Sequence, residues 1–279
     1  MRVGLETDAL TTAGLLQKVT WRLLPGEEAW NALIEEDETR LDETTTTIEQ
    51  SRGILVTIEY ERNTYTGILL QKEGGEERKD GFQHFPLLLT KMPGSLRETF
   101  LGFLCTTFDT RTSTLNLPRN GVVDAFEKYL SDISVTEDGD EMEYAERSRS
   151  LRGIIQDAEI FVGFDLPSGA LKTIVIHLMR EDLPRLLARG DQLASQGSST
   201  PFMEALATYV KGHMALDLKH ERVKIVRISS GAFVLGAEGK MKLSTPAGDE
   251  LGSHQLRATR GLVDGLVRIA SGGMLGDVS

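Results

Sequence analysis

An α+β fold on a largely antiparallel sheet is what the sequence predicts, and three observations carry it. Strands come in pairs joined by short turns, amphipathic helices fall between the pairs without regular βαβ alternation, and the chain closes on three short strands and a helix. Parallel strands would need a long crossover between them, whereas hairpins pair directly.

The elements follow in order. GILVTIEYE (Gly53–Glu61) and TYTGILLQKE (Thr64–Glu73) are rich in β-branched residues, and Arg62 and Asn63 connect them tightly, as in a hairpin. FPLLL, from Phe85, has the length and apolarity of a strand, and MPGS after Lys91 is a turn, because proline fixes φ and glycine frees it. Ser95 and Glu98 have the spacing of a capping box, which predicts a helix with Leu96, Phe100, Phe103 and Leu104 on one buried stripe. VVDAFEKYLSDI, from Val122, is a second amphipathic helix. EIFVGFDL and ALKTIVIHLM make a second hairpin about Pro167–Gly169.

LPRLLARG follows Glu181 and Asp182 as a helix, with Gly190 placed to end it in a left-handed conformation. Thr200 and Pro201 open the next, since proline at the first helical position gives up an N–H that has no intrahelical partner. RVKIVRIS, GAFVLGA and GKMKLS form an antiparallel meander. Ser253 then caps a last helix whose Leu256, Val263, Leu266, Val267 and Ala270 share a stripe, and the tail beyond it is expected to fray.

Composition bounds the class. A chain of 279 residues, 40% hydrophobic and 26% charged, buries a real core. A single domain over residues 1–279 is expected, with an N-terminal part to about residue 150 and a C-terminal sheet part from 151. No apolar run approaches the roughly 20 residues of a membrane helix. Glu6 and Asp8 interrupt what a signal peptide would need, and the lone Cys105 has no partner for an internal disulfide, so a reducing, intracellular setting is expected. The net charge of −11 opposes unspecific attraction to DNA or anionic lipid. That charge is uneven. Gly26–Gln50 and Ser134–Glu146 are acidic, the second read as an exposed mobile loop, whereas Lys211–Arg268 holds ten Lys or Arg against six Asp or Glu. A basic tract in an acidic protein gives its two surfaces different partners.

Catalytic motifs are absent: there is no phosphate-binding glycine loop, no H-E-x-x-H and no G-x-S-x-G. His213, Asp217 and His220 straddle the end of a helix without metal-ligand geometry. His177 lies on the face of a strand with Val175 and Met179, and Asp109 and Arg111 read as a local ion pair. Neither an enzyme, nor a cofactor, nor a bound metal is expected.

The order of motifs resembles one family, centromere protein L (CENP-L) of the inner kinetochore, including its fungal members. FPLLL, a helix and TFDTRTSTLNL are similar to the family's strand, helix and TFD-x-x-x-S-P-L segment, at Phe85, Pro86, Thr107, Phe108, Asp109, Ser113 and Leu115. LKTIVIHLMREDLPRLL resembles its alternating strand and following helix. FMEALATYVKGHMALDLKHERVKIVRISSGAFVLGAEGKMKL resembles its late helix, strand and G-K-[IM]-K hairpin, with Arg227, Gly239, Lys240 and Lys242 in place. A last helix ends both. The resemblance implies a curved antiparallel sheet flanked by helices, with a C-terminal strand meander and terminal helix. It also implies a nuclear, non-enzymatic subunit of the constitutive centromere-associated network. Such a subunit pairs with a CENP-N-like protein, works with other inner-kinetochore subunits, and helps hold centromeric DNA or nucleosomes in chromosome segregation. Homodimers are known among fungal relatives of this kind.

Strand physics indicates where such partners would bind. A meander near the chain end leaves an edge whose unpaired N–H and C=O groups template another strand. Val223, Ile225, Phe233, Leu235, Met241 and Leu243 are the candidate partner-binding residues, unless they pack on the last helix instead. Arg222 and Lys224 alternate to one strand face and Lys240 and Lys242 do likewise on a neighbouring strand, so the four are candidate nucleic-acid contacts sharing one basic side of the sheet. The second reading is a stand-alone nucleic-acid-binding protein using that face.

Overall fold

The computed structural model describes residues 13–24, 51–72, 83–136, 140, 142–165, 172–244 and 249–273. The acidic stretch 26–50, the turn at 167–169 and the end of the tail lie outside the described residues. The chain divides into two compact units, Met1–Thr114 with Leu266–Gly272, and Leu115–Gly265 with Gly273–Ser279.

In the first unit, β1 (Leu16–Leu24), β2 (Gly53–Tyr60), β3 (Thr64–Leu70) and β4 (Leu87–Lys91) form an antiparallel sheet in sequence order. The predicted hairpin is β2–β3, with Ile54 opposite Leu69 and Ile58 opposite Tyr65. Helix α1 (Gly94–Phe108) lies on one face of the sheet, where Val56 and Ile58 meet Phe100 and Leu104 in a buried cluster. Two expectations for this helix are corrected. Pro93, not Ser95, is the residue before its first turn, no side chain caps it, and Ser95 Oγ is buried without a hydrogen-bond partner, so the capping box does not form. The stripe buries Leu96, Phe100 and Leu104, but Phe103 is 46% exposed because it faces the rim of the sheet beside Trp21.

The second unit holds α2 (Gly121–Ile133), α3 (Tyr144–Ile155), β5 (Glu159–Phe164), β6 (Thr173–His177), α4 (Leu183–Ser195), α5 (Pro201–Met214), β7 (Val223–Ser229), β8 (Phe233–Gly236), β9 (Met241–Leu243) and α6 (Asp249–Ala270) as far as Gly265. Its antiparallel sheet runs β6-β5-β7-β8-β9. The strands thus divide between two open antiparallel sheets, in an α+β fold. Phe126 and Tyr129 of α2 pack edge-on against Phe233 of β8, and Phe126 also meets Phe202 of α5. That aromatic seam joins the helices to one face of the sheet.

Four local expectations change here. Helix α4 runs through Gly190, which is buried beside the Phe202 backbone, and ends instead at Gly197 with φ +85°. There Gly197 N–H donates to Ala194 and Ser198 N–H to Leu193, the two bonds of a Schellman closure. Thr200 and Pro201 do open α5, yet the Thr200 side chain makes no capping bond. Helix α6 begins at Asp249, so Ser253 lies within it. The Ser134–Glu146 stretch is not a free loop in its described parts: Met142 N–H donates to Ser134, Thr136 N–H donates to Asp140, Met142 is buried, and Tyr144 opens α3.

Candidate functional site

Register sorts the five-stranded sheet into two faces. Ile160, Val162, Ile176, Val223, Ile225, Ile228, Phe233 and Leu235 are buried on the helix-covered face. Four of the six candidate partner-binding residues are therefore core: Val223 is 7% exposed, Ile225 8%, and Phe233 and Leu235 are fully covered. Their side chains are packed inside the unit and shape the sheet. Met241 and Leu243 differ, being half-buried on β9, the edge strand. The bonds Gly236 N–H to Lys240 and Ser244 N–H to Ala232 bracket the β8–β9 ladder. Because antiparallel residues alternate between facing the partner strand and facing away, Lys242 bonds to β8 while Met241 and Leu243 turn their N–H and C=O outward.

The opposite face is open. Thr173, Val175, His177, Lys224, Arg227 and Lys242 are exposed there. Of the four basic candidates, Lys224 and Lys242 share it, but Lys224 pairs near one end of β7 and Lys242 stands across from Val234, itself opposite Ser229 at the other end. Strand rise and spacing put them roughly 20 Å apart. Arg222 sits in the turn before β7, its N–H donating to His220 Nδ1. Lys240 sits in the β8–β9 turn with Glu238 at 3.9 Å. Both lie just beyond the ends of their strands, where the Arg222 carbonyl accepts from Asp165 N–H and the Lys240 carbonyl from Gly236 N–H, so Lys224 and Lys242 are the two that stand on strands of this face.

What fills the gap is Arg227, whose guanidinium lies 3.5 Å from the centre of the Phe161 ring. Counting by twos from Lys224 puts Arg227 on the buried face. The pairing shifts register between Phe161 and Val162, so Val226 is the extra residue and Arg227 returns to the open side. Gly163 permits the bulge, since a Cβ there would stand 2.8 Å from Val226 Cγ1. Nothing in the local pattern announces it except the pairing of a glycine-bearing strand with a long one. Lys224, Arg227 and Lys242 form a diagonal row across the open face.

A cleft of about 300 Å³ lies beside Arg119, Asp124, Met203, Glu204, Lys219 and Lys224. Three of its charged side chains are held by the fold. Arg119 donates to the carbonyls of Glu221, His220 (2.8 Å) and Val223 (2.9 Å), and Lys219 pairs with Glu204 at 2.9 Å. Hydrogen bonds from Lys219 and Ser198 hold the Glu204 carboxyl below its usual range, and burial raises that of Asp124. No nucleophile is paired with a base among these residues. Asp217 pairs with Lys211 at 2.8 Å, His213 stacks on Tyr209, and no three described His, Cys, Asp or Glu side chains gather as a metal site. Among the described residues no helix is long and apolar enough to cross a membrane.

Two open antiparallel sheets with edge strands and an exposed face define an α+β protein that presents surfaces on which another chain can add. The family model for centromere protein L matches residues 1–271. The chain belongs to the centromere protein L family, and is thereby a nuclear centromere and kinetochore component of the constitutive centromere-associated network, acting in chromosome segregation. That family is one of structural kinetochore subunits that work within a complex. No curated protein matches the sequence.

Proposed function

We propose that this chain is a non-enzymatic scaffold that pairs with a CENP-N-like subunit along β9 and, once paired, lays its open sheet face toward centromeric DNA or the nucleosome. The observation that carries the pairing is the outward-facing backbone of Met241 and Leu243 on an edge strand that has no neighbour among the described residues. An added strand would continue the sheet and cover the two half-buried side chains. The homodimer is the same edge used by a second copy. The row Lys224, Arg227 and Lys242 supplies phosphate contacts spaced too widely to hold DNA alone, so a partner must add to them.

Met241→Pro tests this cleanly, because it removes an outward N–H and leaves the β8 ladder intact, as proline is tolerated on the open side of an edge. Proline at Ile225 or Val234, in central strands, would break the sheet itself. Pull-down of a CENP-N-like chain by folded Met241→Pro protein is expected to fall at least about tenfold, roughly 1.4 kcal/mol. Full retention of the partner would exclude β9 as the surface.

A further inference from the structure

Among the described residues the longest edge strand is elsewhere. β1 has nine residues, ends the four-stranded sheet, and is exposed along most of its length. Natural edges are kept short or blunted to prevent unwanted pairing, and β4 and β6, with five residues each, follow that rule.

Register shows which backbone groups are free. Gln71 N–H donates to Arg52 and Tyr60 N–H to Asn63, so the even-numbered residues of β2 bond to β3. The odd ones, Leu55, Thr57 and Glu59, then bond to their partners Arg22, Thr20 and Lys18 on β1. Val19, Trp21 and Leu23 therefore aim N–H and C=O away from the sheet.

The side chains around this edge are equally unsatisfied. Trp21 is 41% exposed and Val19 45%, on the face that carries α1. Trp21 lies 6.3 Å from Phe103 and 6.2 Å from Phe108, and those two are 6.0 Å apart, edge to face. With Phe108 55% exposed, the three rings form an apolar patch at the rim of the strand, of the kind that marks an interaction surface. On the other face Lys18 and Arg22 are exposed, and neither forms an ion pair among the described residues.

We infer that the β1 edge receives an extended segment of another protein that adds as a strand and alternates acidic with apolar residues. Charge decides the occupant. A second copy of β1, LQKVTWRLL, holds no acidic residue to set against Lys18 or Arg22 in any register, and antiparallel pairing centred on Thr20 would set Lys18 directly against Arg22, which destabilises a sheet. A segment with acids four residues apart would match Lys18 and Arg22, and its intervening apolar side chains would cover Trp21 and Phe108, since alternate residues take opposite faces. This inference is independent of the β9 pairing and uses a different sheet.

The test pans a phage-displayed library of random dodecapeptides on the full chain, then measures the enriched peptides by fluorescence anisotropy. The expected consensus has acidic and apolar residues with a period of two. Val19→Pro, which deletes an outward N–H, is expected to weaken these peptides at least about tenfold. Lys18→Glu with Arg22→Glu, two exposed changes, is expected to do the same and to turn the preference toward basic peptides. Amide exchange on binding should slow at Val19, Trp21 and Leu23. The inference falls if enriched peptides lack acids, or bind Val19→Pro protein as well as the original. It falls equally if sedimentation shows a dimer that Trp21→Ser dissolves, which would make a second copy the occupant. Duplex DNA bound through Lys18 and Arg22 would overturn it too.

Discussion

Glu127 is a carboxylate in an unfavourable place for charge. It projects from α2, is 6% exposed, and accepts the Met203 N–H at 2.6 Å at the start of α5. A carboxylate at a helix N-terminus is normally stabilised as the anion. Here burial outweighs that: it pushes the group up from 4.5 to about 7, against the pull of the Met203 and Phe202 N–H groups and with added repulsion from Glu204 and Asp124. The folded protein therefore holds a proton that the unfolded chain releases between pH 4.5 and about 7. Stability from this group is present below 4.5, declines as pH rises through that window, and is flat above it. At roughly 1.4 kcal/mol per tenfold change in proton affinity, the loss is on the order of 3 kcal/mol. Glu127→Gln keeps the shape and an acceptor for Met203. Urea unfolding at pH 5 and pH 8 should show a smaller fall with pH for the variant than for the parent; parallel profiles would mean that Glu127 is charged throughout. Thr200 marked this helix start in the sequence, but the side chain that serves it comes from 76 residues earlier, which no local motif encodes.

At the scale of elements, long-range arginines take the place of local caps. Arg257 of α6 donates to the carbonyls of Asp132 (2.9 Å), Val135 and Thr136, where α2 has run out of N–H partners. Arg257→Ala is expected to cost on the order of 2 kcal/mol, lowering Tm by several degrees for a chain of this size. Arg257→Lys should recover less than half, because an ammonium does not span three carbonyls as a planar fork does. A melting curve of Arg257→Ala that overlays the parent's would show that the fork does not clamp the two helices. Elements with strong local signals were legible: the β2–β3 hairpin, the β7–β9 meander, α2 and α5. Helix α3 was not, because its buried residues Leu151, Ile154 and Ile155 crowd at its end behind a charged YAERSR run. The basic row was half legible. Lys224 and Lys242 follow from period two, while Arg227 depends on a bulge that only the pairing of β5 with β7 creates. The cluster of Trp21, Phe103 and Phe108 escapes local pattern for the same reason, since it joins a strand to a helix far along the chain.

At the scale of the molecule, the division into two sheets was also beyond local pattern: hairpin grammar tells which strands pair, not which pairs share a sheet. The sum of charges, by contrast, is plain in the sequence and constrains the proposed contact with DNA. With a net charge of −11, the isolated chain repels a duplex at long range, and Lys224, Arg227 and Lys242 must act locally. On the proposed reading the isolated chain is expected to bind DNA weakly and without sequence preference, and a complex with the proposed CENP-N-like partner more tightly. Changing all three to Glu should weaken the complex on DNA. It should also flatten the plot of log K against log salt by roughly 0.9 for each phosphate that is no longer neutralised, up to about 2.7 for the three. Since the three side chains stand on the open face and Met241 and Leu243 turn to the edge, partner pull-down should be unchanged in the same variant. An unaltered salt slope in a complex that still assembles would leave the row as a solubilising surface and move the DNA-binding role to the partner. Arg227→Lys separates charge from geometry: it keeps the cation but removes the flat stack on Phe161. A slope kept with affinity reduced would show that Phe161 orients the guanidinium toward phosphate.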